Sequence, residues 1–361
     1  EAIISIVETY YNKTHNVVVL DAPVGSGKSL IAMAVSYVLN SDDKKGFILA
    51  SDLALQEQYE KDFHKFKLNW GTVKGIDNYI CTDNMEKNSL GTCRIRNMNA
   101  YTMPCFSECP YYSARNHAAA APSALLNYAY WLIMMNYVYE HAGEDSIFLP
   151  RDFTICDEGH KVLDIVQNHY SPRIDKQFIE KLNKIVHFYD TYKIRNHAKD
   201  FQTIKVNAKA LFDVNEQQQL LDLLDEIQQH LLHIVVTGTA FKDAVKEQYP
   251  NDNPPKEWRE ALRLADWVKD IHCKLEDYVD IIQKTSIRNL IKNPTGEEEL
   301  TFNCLEESYL MNKYFHQWNK FTVFMSATFA DPNDYIKSIA LKGAKYIKME
   351  DSFSYEKSPI F

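Results

Sequence analysis

No run of about 18 consecutive apolar residues occurs in this chain, so the sequence offers no membrane-spanning helix. The nearest candidate, Ala118 to Met135, is broken by Pro122, Ser123 and Asn127. A basic leader with a cleavage site is also missing, and the chain opens on Glu1 rather than methionine, which reads as a trimmed chain. Internal repeats and low-complexity tracts are lacking. So is any excess of positive charge: 40 basic residues against 49 acidic ones give a formal charge of −9. That balance argues against a protein that coats nucleic acid by bulk electrostatics. It leaves room for a local groove around one strand, because net charge describes the whole surface.

What is present is ordinary globular composition, 45% hydrophobic and 25% charged over 361 residues, enough for roughly two or three domains. Seven cysteines without an export signal imply a reducing compartment, the cytoplasm. Cys81, Cys93, Cys105 and Cys109 crowd together while Cys156, Cys273 and Cys304 are scattered, and that clustering points to a metal rather than to disulfides.

Along the chain, Val17 to Leu20 forms a β-branched apolar run, predicted to be a buried strand. A glycine loop follows, then Leu30 to Leu39, apolar on nearly every face and expected to be a buried helix, then a strand at Phe47 to Ala50. Strand, helix, strand in that order begins a parallel α/β sheet. From Gly71 to Pro122 the aliphatic period is lost, as in an insertion held by something other than an apolar core. Ser123 to Tyr139 is expected to be an apolar helix. Phe153 to Cys156 reads as a strand feeding an acidic box, and Phe321 to Met325 as a strand ending in Ser326-Ala327-Thr328. Between them, Leu220, Leu221, Leu224, Ile227, Leu231 and Ile234 form roughly one stripe, and Trp258, Leu262, Ala265, Val268 and Ile271 another. The resulting segmentation is 1–71, 123–165 and 299–361 for an α/β domain, 72–122 for the cysteine segment and 166–298 for a mainly helical module.

Ala22-Pro23-Val24-Gly25-Ser26-Gly27-Lys28-Ser29 follows a strand and opens a helix, the context of a phosphate-binding P-loop. Its glycines let backbone N–H groups turn toward the phosphates, Lys28 neutralises the β/γ oxygens, and the Ser29 hydroxyl can ligate Mg²⁺. The plain alternative is a glycine-rich turn without a ligand. Asp157-Glu158-Gly159-His160 ends an apolar strand, where parallel sheets present their chemistry. Asp157 can hold the Mg²⁺ shell while Glu158 orients and deprotonates an attacking water. Solvated surface is the usual fate of such a pair, and a satisfied interior position that of a lone histidine.

The four cysteines are spaced Cys81-x11-Cys93-x11-Cys105-x3-Cys109. Four thiolates fit an iron–sulfur cluster or a four-thiolate zinc site, although zinc more often uses two short knuckles and only the last pair here is short.

Taken together, Ala22 to Ser29, Asp157 to His160 and Ser326 to Thr328 resemble motifs I, II and III of superfamily 2 helicases. Glycine replaces the alanine of the usual DEAH box, a small-for-small change expected to be tolerated. The segments Val73 to Cys81 and Cys109 to Arg115 resemble the edges of the iron–sulfur domain in the XPD/DinG helicase family. The resemblance implies a RecA-like motor domain, a 4Fe-4S cluster on the four cysteines, and a helical insertion corresponding to the family's Arch domain. It implies ATP and Mg²⁺ as cofactors, single-stranded DNA or a DNA junction as partner, 5′→3′ polarity, and His160 as a residue coupling hydrolysis to strand movement through Ser326, Ala327 and Thr328. Bacterial and bacteriophage-infected cells both fit the short insertion.

Single strands are gripped by cations and aromatic platforms. Lys74, Tyr79, Arg94, Arg96, Tyr101, Tyr111, Tyr112 and Arg115 are candidates as a group, although each alone is the kind of residue more often structural. Ser51, in a segment resembling motif Ia, is a further one. The family's second motor domain, with motifs IV to VI and their arginine fingers, does not occur in this sequence, and Ser358 to Phe361 resembles the junction into it. The chain alone is therefore expected to bind ATP, hydrolyse it slowly and unwind nothing. The competing readings are a strand-gripping module without motor activity, and a P-loop ATPase with a zinc-stabilised insertion.

Overall fold

The structure, a computed structural model, describes residues 1–95, 99–214, 216–249, 254–285, 290–292, 299–302, 304, 307–329, 331–339, 341 and 343–350. Arg96 and the expected junction Ser358 to Phe361 lie outside them. The described strands are β1 (Val17–Asp21), β2 (Gly46–Ala50), β3 (Gly71–Thr72), β4 (Ser123–Asn127), β5 (Phe153–Cys156), β6 (Arg173–Ile174), β7 (Leu290–Lys292), β8 (Leu300–Phe302), β9 (Thr322–Ser326) and β10 (Lys345–Lys348). Two compact units account for the chain: Glu1–Asn78 with Pro110–Val166 and Glu307–Phe361, and Tyr79–Cys109 with Gln167–Glu306.

The first unit is an α/β domain on a parallel sheet ordered β10-β1-β9-β5-β2-β4-β3. Its central strands are short apolar runs buried along their length, as parallel strands covered on both faces must be. Val18, Leu20, Ile48, Ile155, Val323 and Met325 pack with Ile6, Ile31, Val35 and Tyr59 in one core. β9 lies between β1 and β5, pairing Leu20 with Met325 and Cys156 with Phe324. The three chain segments that carry the motifs therefore leave the sheet side by side, at the carboxyl ends of adjacent strands.

Two helical expectations need correction. Ser123 to Tyr139 is not one helix: Ser123–Asn127 is β4, and a helix starts at Tyr128, capped by the Asn127 side chain accepting from the Tyr130 N–H. A short apolar run fits a buried strand as well as a buried helix, and β4 is inserted between β2 and β3. The helix Lys28–Ser41 is not buried all round either, since Leu30 and Tyr37 are exposed. Apolar side chains on a surface are common enough to mislead a count of faces. The segment from Gly71 also contains regular structure, with the helix Pro110–Ala120 against β3 so closely that a Cβ on Gly71 would lie 2.3 Å from the Ala118 Cα.

The second unit is built on the helices Lys176–Thr191, Ala198–Ala210, Gln217–Gln248 and Lys256–Thr285, with a small antiparallel sheet ordered β6-β8-β7. Both expected stripes contribute to its core, through Leu220, Leu224, Ile227, Leu231 and Ile234 on one helix and Leu262, Ala265 and Val268 on the other. Gly238 lets the two long helices approach, since a Cβ there would lie 3.0 Å from the Ala265 Cβ.

Candidate functional site

After β1 the chain turns through Gly25 and Gly27, at φ 80° and 81°. Glycine alone adopts this left-handed region without cost from a side chain. The Ser26 N–H closes the turn on the Pro23 carbonyl at 3.1 Å, and the Ala22 N–H ties its start to the Ser326 carbonyl at 2.8 Å. Gly27 then caps the helix Lys28–Ser41. Lys28 and Ser29 thus sit at a helix N-terminus, where unpaired N–H groups and the positive end of the dipole favour an anion. A cleft of about 450 Å³ opens there, lined by Gly25, Gly27, Lys28, Ser29, Asp157 and Glu158 among others.

Asp157, just beyond β5, is only 1% exposed. Its Oδ2 accepts from the Tyr59 hydroxyl at 2.7 Å, its Oδ1 from the Glu158 N–H at 2.9 Å, and its carbonyl from the Tyr128 hydroxyl at 2.8 Å. Burial raises its pKa, opposed by those side-chain and backbone hydrogen bonds and by Lys28. Glu158 has φ 51°, a strained value for a residue with a side chain. In this turn its carboxylate lies 4.0 Å from Lys28 Nζ and 3.4 Å from His160 Nδ1. His160 Nδ1 lies 2.7 Å from the Ser326 Oγ, which also accepts from the Thr328 N–H at 3.1 Å. Ala327 joins these two residues in the turn beyond β9.

Gly159 is more than a small residue. A Cβ there would meet the Phe324 Cβ at 3.0 Å and the Met325 N at 3.2 Å, so the glycine lets the box lie directly on β9. An alanine there would need β9 to give by a few tenths of an ångström.

The Ser29 hydroxyl and the buried Asp157 carboxylate form a hard-oxygen donor pair beside the phosphate-binding turn, which suits Mg²⁺. Tyr59 is the residue that sequence reasoning missed. It is fully buried and donates to Asp157, and Ser29 is near enough to oppose the rise in its pKa, so it stands beside both candidate magnesium ligands. One tyrosine among 22, on an amphipathic helix, carries no signal of that role.

In the second unit the four clustered cysteines come together. Cys81 and Cys109 are buried and Cys93 and Cys105 half-buried. The Cys93 thiol is pushed up by burial, with Cys81 and Cys109 adding to it, and that of Cys105 by burial, Asp83, Cys81 and Cys93. Gly91 makes room for Cys81, since a Cβ there would lie 3.3 Å from its Sγ, and the Asn88 amide donates to the Cys109 Sγ at 3.4 Å. Four sulfur donors within one short segment are a set suited to a soft cationic centre.

The strand-contact candidates fare less well. Tyr111 is buried with its hydroxyl 3.1 Å from that of Tyr130, so it is not a platform for a base. Lys74 is held between Glu57 and Glu60, each at 3.3 Å, and its charge is already matched. Arg115 lies over the ring of Tyr112, itself buried, and bonds Asn116. Ser51 donates to Asp52, whose other oxygen caps the helix Leu53–Lys65. Tyr79 is half-buried, while Arg94 and Tyr101 are exposed. No described helix is long and apolar enough to cross a membrane.

Comparison with known proteins gives one family. Residues 1–189 match the family model described as the Type III restriction enzyme, res subunit. No curated protein matches the chain. Among solved structures, an XPD helicase superposes with a TM-score of 0.55 at 16% identity, covering 96% of this chain and 61% of its own. Xpd4 of S. tokodaii gives 0.53 at 12% identity, with 97% and 61% covered. A truncated XPD gives 0.51 at 15% identity, with 97% and 99% covered. These likenesses show a shared fold, and the chain spans 61% of the length of the first two structures.

Proposed function

Because the chain belongs to the family of the Type III restriction enzyme res subunit, we propose that it is the ATP-binding half of a DNA helicase that moves 5′→3′ along single-stranded DNA. One observation carries this reading. The phosphate-binding turn, the acidic box and the Ser-Ala-Thr turn leave adjacent parallel strands, and His160 bonds Ser326 at 2.7 Å.

On this reading the N–H groups of the turn and Lys28 hold the β- and γ-phosphates of ATP. Ser29 and Asp157 would hold Mg²⁺, which when bound neutralises charge developing on the phosphate oxygens. Glu158 orients and deprotonates the attacking water. His160 reports the state of that carboxylate to Ser326 and Thr328, and so couples hydrolysis to strand movement.

Cys81, Cys93, Cys105 and Cys109 would hold a 4Fe-4S cluster whose thiolate bonds stabilise a segment with little apolar core of its own. Arg94 and Tyr101 are the exposed candidates to touch the strand. The reading requires a second motor domain to complete the ATP site with arginine fingers.

The test is steady-state ATP hydrolysis by the full-length gene product with and without single-stranded DNA. Stimulation that vanishes in Lys28→Ala is expected. A turnover indifferent to DNA overturns the helicase reading.

A further inference from the structure

In the helical unit, Asp200 gathers three imidazoles. Its Oδ1 lies 2.7 Å from His230 Nδ1 and 2.9 Å from His233 Nδ1, and its Oδ2 lies 2.7 Å from His197 Nδ1. The ligand atoms of Asp200, His230 and His233 all fall within 4.8 Å of one another. None of these residues belongs to the ATP site or to the cysteine cluster.

The local sequence explains the convergence. His230 and His233 are three residues apart on Gln217–Gln248 and so share a face, and Asp200 stands on the first turn of Ala198–Ala210. His197 is buried behind the carboxylate, with its Nε2 fixed by the Thr237 hydroxyl at 2.8 Å. Thr237 in turn donates to the His233 carbonyl at 3.1 Å. The carboxylate is thus oriented from behind, as supporting residues orient ligands at metal sites. The His233 side chain is 53% exposed, which gives an ion a way in.

We propose that Asp200 Oδ1, His230 Nδ1 and His233 Nδ1 bind a divalent cation of the zinc class, pinning Ala198–Ala210 to Gln217–Gln248. Two imidazoles and one carboxylate are a donor set for zinc or its transition-metal neighbours, whereas calcium and magnesium prefer oxygen alone. Bonds of about 2.0–2.2 Å around a tetrahedral ion separate ligand atoms by roughly 3.4 Å. The carboxylate oxygen therefore parts from the two imidazole nitrogens by about 0.5–0.7 Å on loading. The fourth position is left to solvent.

The experiment compares the whole chain with its His233→Gln and Thr237→Val variants, using zinc calorimetry and thermal melts, with circular dichroism to verify the fold. The wild type is expected to bind one more equivalent of zinc than His233→Gln, and to gain a zinc-dependent rise in Tm that the variant lacks. The thiols are common to both proteins, so the difference isolates this site. Thr237→Val should keep the stoichiometry and weaken binding about 10–100-fold. Cobalt titration supplies a signature: the extra equivalent should add weak visible bands without thiolate charge-transfer absorption. Equal stoichiometry and equal zinc response in the wild type and His233→Gln would overturn the proposal, leaving a hydrogen-bonded cluster only.

Discussion

Replacing Tyr59 with phenylalanine removes one oxygen atom from the candidate magnesium site and leaves its architecture in place. The ring stays in the core beside Phe63, with centroids 6.1 Å apart, so the helix Leu53–Lys65 keeps its packing. What is lost is a 2.7 Å donor to the Oδ2 of a carboxylate that burial already pushes toward protonation. A hydrogen bond to a charged group contributes about 1.5–3 kcal/mol. The ionised form of Asp157 loses that support, and its pKa moves further up. Binding of Mg²⁺·ATP requires the ionised form, so affinity should fall by about 10- to 100-fold. The assay is fluorescence titration with an ATP analogue, in magnesium and in chelator, across the pH range. The loss should appear in magnesium only, and the acid limb of the binding profile should move to higher pH in the variant. Equal affinity at every pH would refute the role given to Tyr59.

Asp157→Asn should abolish magnesium-dependent nucleotide binding while raising the Tm of the nucleotide-free protein at neutral pH. The sign follows from the raised pKa: the folded state binds the proton more tightly than the unfolded one. Stability is therefore lost as pH rises from the usual carboxylate range through the folded pKa, and asparagine escapes that loss. A neutral-pH melt in which the variant is less stable would contradict this. Gly159→Ala should cost about 1–3 kcal/mol by overpacking against β9, read as a lower Tm by calorimetry; an unchanged Tm would mean that the strand gives way. Cys105→Ser, at a half-buried position of the proposed cluster site, should lower bound iron and expose Tyr79–Cys109 to protease. Full iron content in the variant would remove Cys105 from the ligand set.

Much of the candidate site is legible in the sequence because its residues obey backbone rules. A P-loop needs glycine at left-handed positions, and Gly25 and Gly27 occupy them. An acidic pair after a buried apolar run lands at the carboxyl end of a strand, as Asp157 and Glu158 do. What stayed hidden depends on partners distant in sequence. Tyr59 reaches Asp157 across 98 positions, and no local pattern encodes that bond. β4 is hidden because its apolar run, Ala124 to Leu126, is too short to carry a period that separates strand from helix. The strand-contact candidates were chosen by residue type, and type does not reveal that Tyr111 faces Tyr130 or that Lys74 faces two glutamates.

Ser326 shows how the strand order brings three segments distant in sequence into contact. Its carbonyl takes the Ala22 N–H, and its hydroxyl meets both His160 and the Thr328 N–H. The backbone bond belongs to the sheet and survives a side-chain substitution, whereas the other two depend on Oγ. Ser326→Ala should therefore leave ATP binding intact and remove DNA stimulation of hydrolysis. His160→Ala should do the same by cutting the same bond from the other side. If that bond is the link, the double variant loses no more than either single one, because contacting residues that act through one interaction are not additive. Losses that multiply would mean that His160 and Ser326 act separately, with the 2.7 Å contact only a neighbourly one.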